Sequence, residues 1–188
     1  VPPDDPNNTV NSYRREFELP KDWDGRRVMI TFDGVYFLGD RWVNGQKVGM
    51  GKDSRTPVEF DLTKYVKSGK NLIAVENFRW CDGSYLEDQD MWRLSGIFRD
   101  VYLWSPPEMH LRDFEVKTGF DPEYRNARLT VAINLQNAGK QSANGHLEAE
   151  LLDPAGKVVV KPAIELAVAA GQESAAEITA DVVDPLKW

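Results

Sequence analysis

The sequence predicts an all-β chain made of two successive sandwiches. Three observations carry this: apolar and polar residues alternate with period two in segment after segment, no segment of helix length shows a 3.6-residue period, and the composition breaks at Ser105-Pro106-Pro107. A length of 188 residues is enough for two compact units, each with its own core. The expected division is a first domain over residues 1–107 and a second over 108–188.

In the first half, Tyr13, Arg15, Phe17 and Leu19 alternate with Arg14, Glu16 and Glu18, and the same pattern recurs around Val28, Ile30 and Phe32. It returns where Leu72, Ala74 and Glu76 oppose Ile73, Val75 and Asn77. These segments read as half-buried strands. Between them, Asn44-Gly45 flanked by Trp42-Val43 and Val48 supplies the two positive-φ positions of a type I′ hairpin. Further strands are expected at Glu59 to Leu62 and Phe98 to Trp104, and Trp42, alternating with Asn44, is expected in the core.

Five of the six tryptophans precede Ser105. Beyond it the chain becomes rich in Ala, Val and Glu, with strands expected at His110 to Thr118, Ala127 to Leu135, His146 to Leu152, Val158 to Pro162 and Glu173 to Val182. Asp153-Pro154-Ala155-Gly156 reads as a turn between two of them. This half is expected to be an immunoglobulin-like or fibronectin-like sandwich. Such a sandwich needs about seven strands and only five or six are legible, so a last strand is expected beyond Trp188, its absence leaving an open edge. Val1, in a Pro- and Asn-rich opening, reads as an excised start with more sequence ahead of it in a parent protein.

A net charge of -7 and a pI near 4.9 argue against binding a phosphate backbone or an anionic membrane. No apolar run approaches the roughly 18 residues of a membrane span. A single Cys81 excludes an internal disulfide, and with Asp82 beside it and no local histidine it is a poor nucleophile. His110 and His146 lack neighbouring ligand patterns, and no glycine-rich loop leads into a helix.

Chemistry concentrates between Arg79 and Asp100, a long polar segment joining two strands. It carries Asp82, Glu87, Asp88 and Asp90, flanked by Trp80, Tyr85 and Trp92. One reading is a glycosidase carboxyl pair, which needs a separation of about 5 to 5.5 Å for retention or about 6.5 to 9.5 Å for inversion. Another is a loop that binds sugar hydroxyls or a hard cation. The third has the acids pairing with Arg79, Arg93 and Arg99 or capping turns.

The run Asp82-Gly-Ser-Tyr-Leu-Glu-Asp-Gln-Asp-Met-Trp-Arg-Leu-Ser-Gly-Ile-Phe-Arg-Asp100 closely resembles the first domain of the β-galactosidases of glycoside hydrolase family 2. Phe32-Asp33-Gly34-Val35, Trp42-Val43-Asn44-Gly45, Val48-Gly49, Asp53-Ser54-Arg55-Thr56-Pro57 and Glu59-Phe60-Asp61-Leu62 agree with it, and the likeness continues more weakly to Pro185-Leu186-Lys187-Trp188. The resemblance implies a galactose-binding-like jelly roll followed by an immunoglobulin-like sandwich, both preceding a TIM barrel that carries the catalytic glutamates. No catalytic residue is therefore expected in this chain.

By its place in the motif, Asp82 matches the family's aspartate that reaches the barrel's site, contacting the galactosyl group and a sodium ion whose other ligands come from the barrel. Sodium and magnesium are implied for the parent, as is a homo-oligomeric assembly; the compartment is left unknown, with bacterial cytoplasm or periplasm as the leading settings. A substrate-contacting asparagine of the family precedes the start of this chain, and Asn7 and Asn8 are not read as its substitutes. Glu87, Asp88 and Asp90 are expected to hold the loop and the barrel contact, with Met91, Trp92, Ile97 and Phe98 as apolar packing. The expected partners are a β-galactoside, bound weakly or not at all by this chain alone, and the barrel. The alternatives are a stand-alone carbohydrate-binding module, or accessory domains of another family 2 enzyme such as a glucuronidase or mannosidase.

Overall fold

The computed structural model describes residues 5–36, 39–86, 92 and 94–187. The chain divides into two compact units, Val1–Pro106 and Pro107–Trp188.

In the first unit the strands are β1 (Val10–Glu18), β2 (Met29–Phe32), β3 (Val35–Tyr36), β4 (Gly39–Val43), β5 (Gln46–Gly51), β6 (Val58–Asp61) and β7 (Lys70–Phe78). A single helical turn α1 (Gly83–Leu86) follows, then β8 (Gly96–Ile97) and β9 (Val101–Trp104). A four-stranded sheet in the order β1-β7-β4-β5 and a three-stranded sheet β6-β2-β9 form the sandwich, with the short β3-β8 pair beside them. All four residues of β2 are buried, which explains the apolar run Val28-Met29-Ile30 and Phe32. The core joins Val28, Ile30, Phe32, Val35, Val43, Leu62 and Val75.

At the expected hairpin, Asn44 and Gly45 have φ of 51° and 80°, the two positive values a type I′ turn requires. The expected strand from Phe98 is shorter, since ladder pairing with β2 begins at Val101. Trp42 is not in the core. On β4 the pleat turns Gly39, Arg41 and Val43 inward, so Arg41 is 1% exposed while Trp42 lies half-buried on the other face. Alternation around Trp42 read the strand in the wrong phase, because a buried arginine looks like an outward residue.

Arg41 lies between the rings of Phe32 and Phe60, with its guanidinium carbon 4.8 and 5.1 Å from their centroids. Its Nη1 donates to the Gly39 carbonyl. A side chain at Gly39 or Gly51 would press on the guanidinium. Burial pushes the Arg41 pKa down to about 10, against the opposing pull of Asp40. A base whose folded pKa is lowered opposes folding while charged, and that cost is relieved only as pH rises through about 10.

The second unit contains β10 (Met109–Phe120), β11 (Asn126–Asn137), β12 (Ala143–Glu148), β13 (Leu151–Leu152), β14 (Val158–Val160), β15 (Ala163–Val168) and β16 (Glu173–Val183). One sheet runs β10-β11-β16, and across from it β12 pairs with β15 and β13 with β14. The strand expected at Val158 to Pro162 ends at Val160, before Pro162, which has no N–H to give a ladder, and an unanticipated strand, Ala163–Val168, begins after it. Ile133, Leu135, Val168 and Ile178 form one core cluster, and Ala127, Leu129 and Val182 a second. The buried Asn137 side chain donates to the carbonyls of Gln141 and Val168 at 2.8 and 2.9 Å, tying the loop after β11 to β15. Along the edge strand β10, Leu111, Phe114, Val116 and Phe120 are exposed, and three of them line an apolar groove with Leu147 and Leu151.

Arg41→Met keeps the volume and removes the buried charge, so it should leave stability unchanged or raise it. Arg41→Ala opens a cavity between Phe32 and Phe60 and should cost about 3 kcal/mol. Urea unfolding followed by tryptophan fluorescence distinguishes them; equal losses in both variants would show that the sandwich needs the cation.

Candidate functional site

The segment that carries the chemistry begins where β7 ends, and polar groups buried on and beside β7 set its position. Asn77, fully buried, donates its amide to the Tyr36 carbonyl at 2.9 Å. The ladder with β1 reaches Val10 and Phe78, and the Arg79 N–H continues it to the Thr9 carbonyl at 2.9 Å. Asn8 then acts as a clamp: its side-chain amide donates to the Trp80 carbonyl and its carbonyl oxygen accepts from the Trp80 N–H, both at 3.0 Å. Asn8 is 5% exposed, so its amide is committed to this backbone.

Next comes a tight turn. The Ser84 hydroxyl accepts from the Cys81 N–H at 2.9 Å, while the Ser84 N–H returns to the Cys81 carbonyl at 3.1 Å. Cys81 and Ser84 are both buried, and Asp82 between them is turned outward with its side chain 68% exposed. This buried–exposed–buried pattern is what puts a carboxylate at the surface of an otherwise closed turn.

The Asp82 carboxylate has two donors. Lys52 Nζ lies 3.0 Å from Oδ2 and 3.3 Å from Oδ1, and the Gly83 N–H donates to Oδ1 at 3.0 Å. The Lys52 bond first, and the Gly83 amide second, hold the carboxyl below the usual aspartate range; the same contact raises the Lys52 ammonium. Lys52 is itself placed by the turn at residues 53–56. There Asp53 Oδ1 accepts from the N–H groups of Arg55 and Thr56 at 2.9 and 3.1 Å, and Ser54 is fully buried.

Glu87, Asp88, Asp90, Met91 and Arg93 lie outside the described residues. The expected pairing of the loop acids with Arg79 and Arg99 does not hold for Asp82, whose cation comes from Lys52 on a different segment. Arg79 lies over the Trp80 ring at 5.4 Å, and Arg99 donates to the backbone carbonyls of Arg55 and Asp33 at 3.0 and 3.4 Å. Of the expected packing residues, Phe98 meets the Tyr36 ring edge-on at 6.4 Å and Ile97 joins the main core. Trp92 differs, being 83% exposed, with its carbonyl held by Arg55 at 2.9 Å. Tyr85 and Leu86 are exposed as well.

At Gly96 the returning strand passes against the Tyr13 hydroxyl with φ of 74°, a position closed to any side chain. His146 Nδ1 lies 2.6 Å from Glu165 and His110 Nδ1 lies 3.0 Å from the Pro107 carbonyl, each in its own neighbourhood. Sequence reasoning missed Lys52 and the Asn8 clamp, since both act across more than 25 intervening residues. Ser84 was findable, because a serine three positions after Cys81 suits a side-chain-closed turn.

Comparison with known proteins agrees with this architecture. The profile described as "Glycosyl hydrolases family 2, sugar binding domain" matches residues 1–107, and that described as "Glycosyl hydrolases family 2" matches residues 109–188. A β-galactosidase of Priestia megaterium is 38% identical over 182 residues, which are 96% of this chain and 18% of that protein. A β-galactosidase of Yersinia pestis bv. Antiqua (strain Angola) is 52% identical over 131 residues, 68% of this chain and 12% of that protein. This chain thus spans less than a fifth of the length of either relative. Among solved structures, a Bacteroides uniformis β-glucuronidase superimposes with a TM-score of 0.87 at 22% identity, over 96% of this chain and 22% of its own. A β-glucuronidase from glycoside hydrolase family 2 gives 0.82 at 26% identity, over 96% of this chain and 21% of its own. With both units matched in order and nearly every residue covered, the chain belongs to family 2 of the glycosyl hydrolases.

Proposed function

We propose that this chain is the non-catalytic accessory portion of a retaining β-galactosidase, and that it lends Asp82 to an active site completed by a TIM barrel elsewhere in the full-length protein. The observation that supports this reading most directly is the outward carboxylate of Asp82 on a turn whose flanking residues are buried. An ionised aspartate with its geometry set in advance accepts hydrogen bonds from sugar hydroxyls without first being reorganised. Solvated at the surface, those bonds contribute little. Enclosed by a barrel, they are strengthened by the lower local dielectric. The choice of galactoside over another glycoside rests on the sequence relatives, which are β-galactosidases at 38% and 52% identity. The proton transfer and the nucleophilic attack belong to the barrel's glutamates; this chain binds and orients.

A second reading, a stand-alone carbohydrate-binding module, is favoured by the exposed rings of Tyr85 and Trp92, 58% and 83% accessible. Titrating this chain with galactosides while following tryptophan fluorescence separates the two. Saturation at micromolar ligand supports the module, and a response only at millimolar sugar, or none, supports the accessory role.

In the full-length protein, Asp82→Ala should lower kcat/KM for a nitrophenyl β-galactoside by about a hundredfold, whereas this chain alone should release no nitrophenol. Unchanged turnover in Asp82→Ala would remove Asp82 from the site. Asn8→Ala should loosen the clamp on Trp80 at a cost of about 2 kcal/mol, seen as faster amide exchange at residues 80–86, with KM rising more than kcat falls.

A further inference from the structure

Family resemblance assigns the cation beside Asp82 to sodium, and the chain's own residues are arranged differently. We propose that the Lys52 ammonium is the resident cation of Asp82, so that the site to which Asp82 contributes needs no monovalent metal at this carboxylate. The inference rests on the reading that Asp82 belongs to the active site.

Lys52 Nζ reaches both carboxylate oxygens, at 3.0 and 3.3 Å, and the Gly83 N–H takes another position on Oδ1. Lys52 is poised for that contact. It directly follows β5 and precedes the turn in which Asp53 binds two backbone amides and Ser54 is fully buried, so the backbone that aims its side chain is fixed from both sides. A sodium ion on the same oxygens would stand beside an ammonium of like charge, and the repulsion between them grows as a closing site excludes water.

Chemically, ammonium and sodium differ in what they give a sugar. A sodium ion accepts lone pairs from any direction, whereas an ammonium has three directed N–H donors. With two directed at Asp82, the third is available to a sugar hydroxyl oxygen, and the carboxylate retains lone pairs for a hydroxyl hydrogen. The Lys52–Asp82 pair can therefore hold one hydroxyl as both donor and acceptor.

The test uses the full-length protein and a nitrophenyl β-galactoside, with sodium chloride exchanged for choline chloride at constant ionic strength. Wild type should keep its kcat/KM in the absence of sodium. Lys52→Met, which removes the charge but keeps the stem, should lose about tenfold without sodium and regain part of it when sodium is added. Line broadening in the sodium-23 NMR spectrum gives a readout apart from activity: excess broadening is expected with Lys52→Met, none with wild type, and none with Lys52→Met/Asp82→Asn. A wild type that requires sodium, or a Lys52→Met variant with unchanged kinetics in choline, overturns the proposal. Asp82→Asn tells which reading has failed. If it is impaired while wild type requires sodium, only the role of Lys52 falls; if it retains full kcat/KM, the placement of Asp82 falls and this inference with it.

Discussion

The register of β7 is the constraint on which the first unit depends. An asparagine is buried at each end of that strand, and a buried amide left without partners costs more than a typical hydrogen bond contributes. At the start, the Asn71 oxygen accepts from the Asn44 amide at 2.8 Å and its own amide donates to the carbonyls of Lys67 and Gly69. Asn44 in turn accepts from the Leu72 N–H, so the β4–β5 hairpin is fastened to β7 by side chains as well as by the ladder. At the far end Asn77 reaches the Tyr36 carbonyl. Sliding β7 by one residue would expose Val75 and break both sets of contacts at once. The turn that presents Asp82, which follows shortly after Phe78, inherits its position from that fixed register.

Much of the fold could be read from the sequence because its signals are local. Asn44-Gly45 marks a hairpin through the backbone angles it permits, and the apolar run at β2 marks a strand buried on both faces. The errors occur where a distant partner changes a residue's meaning. Arg41 reads as surface until Phe32 and Phe60 supply two ring faces for its guanidinium, and glycines at 39 and 51 make room for it. Past Pro162 the strand Ala163–Val168 goes unread. At the candidate site the motif singles out Asp82, and one reading of the motif pairs the loop acids with arginines nearby in sequence. The cation comes instead from Lys52, which only the pairing of strands brings close.

The Lys52–Asp82 pair shows how a fold can fix the geometry of a charged pair at its surface. One carboxylate and one ammonium on exposed side chains form a weak pair in water. Their value lies in being held in place, by a turn with two buried flanks on one side and a backbone-capped segment on the other. Under the proposed reading, such a surface meets an enclosing partner, and specificity for a sugar would arise from the assembled enclosure rather than from the sandwich beneath it.

The exposed β10 edge of the second unit has a different consequence. Twelve residues of strand present backbone donors and acceptors along one side, with Leu111, Phe114, Val116 and Phe120 exposed beside them. No proline interrupts that strand, and its charged residues, Arg112, Asp113, Glu115 and Lys117, are interspersed among the apolar ones. Unpaired backbone along an edge strand is a template on which another extended polypeptide can pair, so protein concentration enters the stability of any sandwich that leaves such an edge uncovered. For such a sandwich, stability measured at one concentration is that of the monomer only where the edge stays unpaired at that concentration.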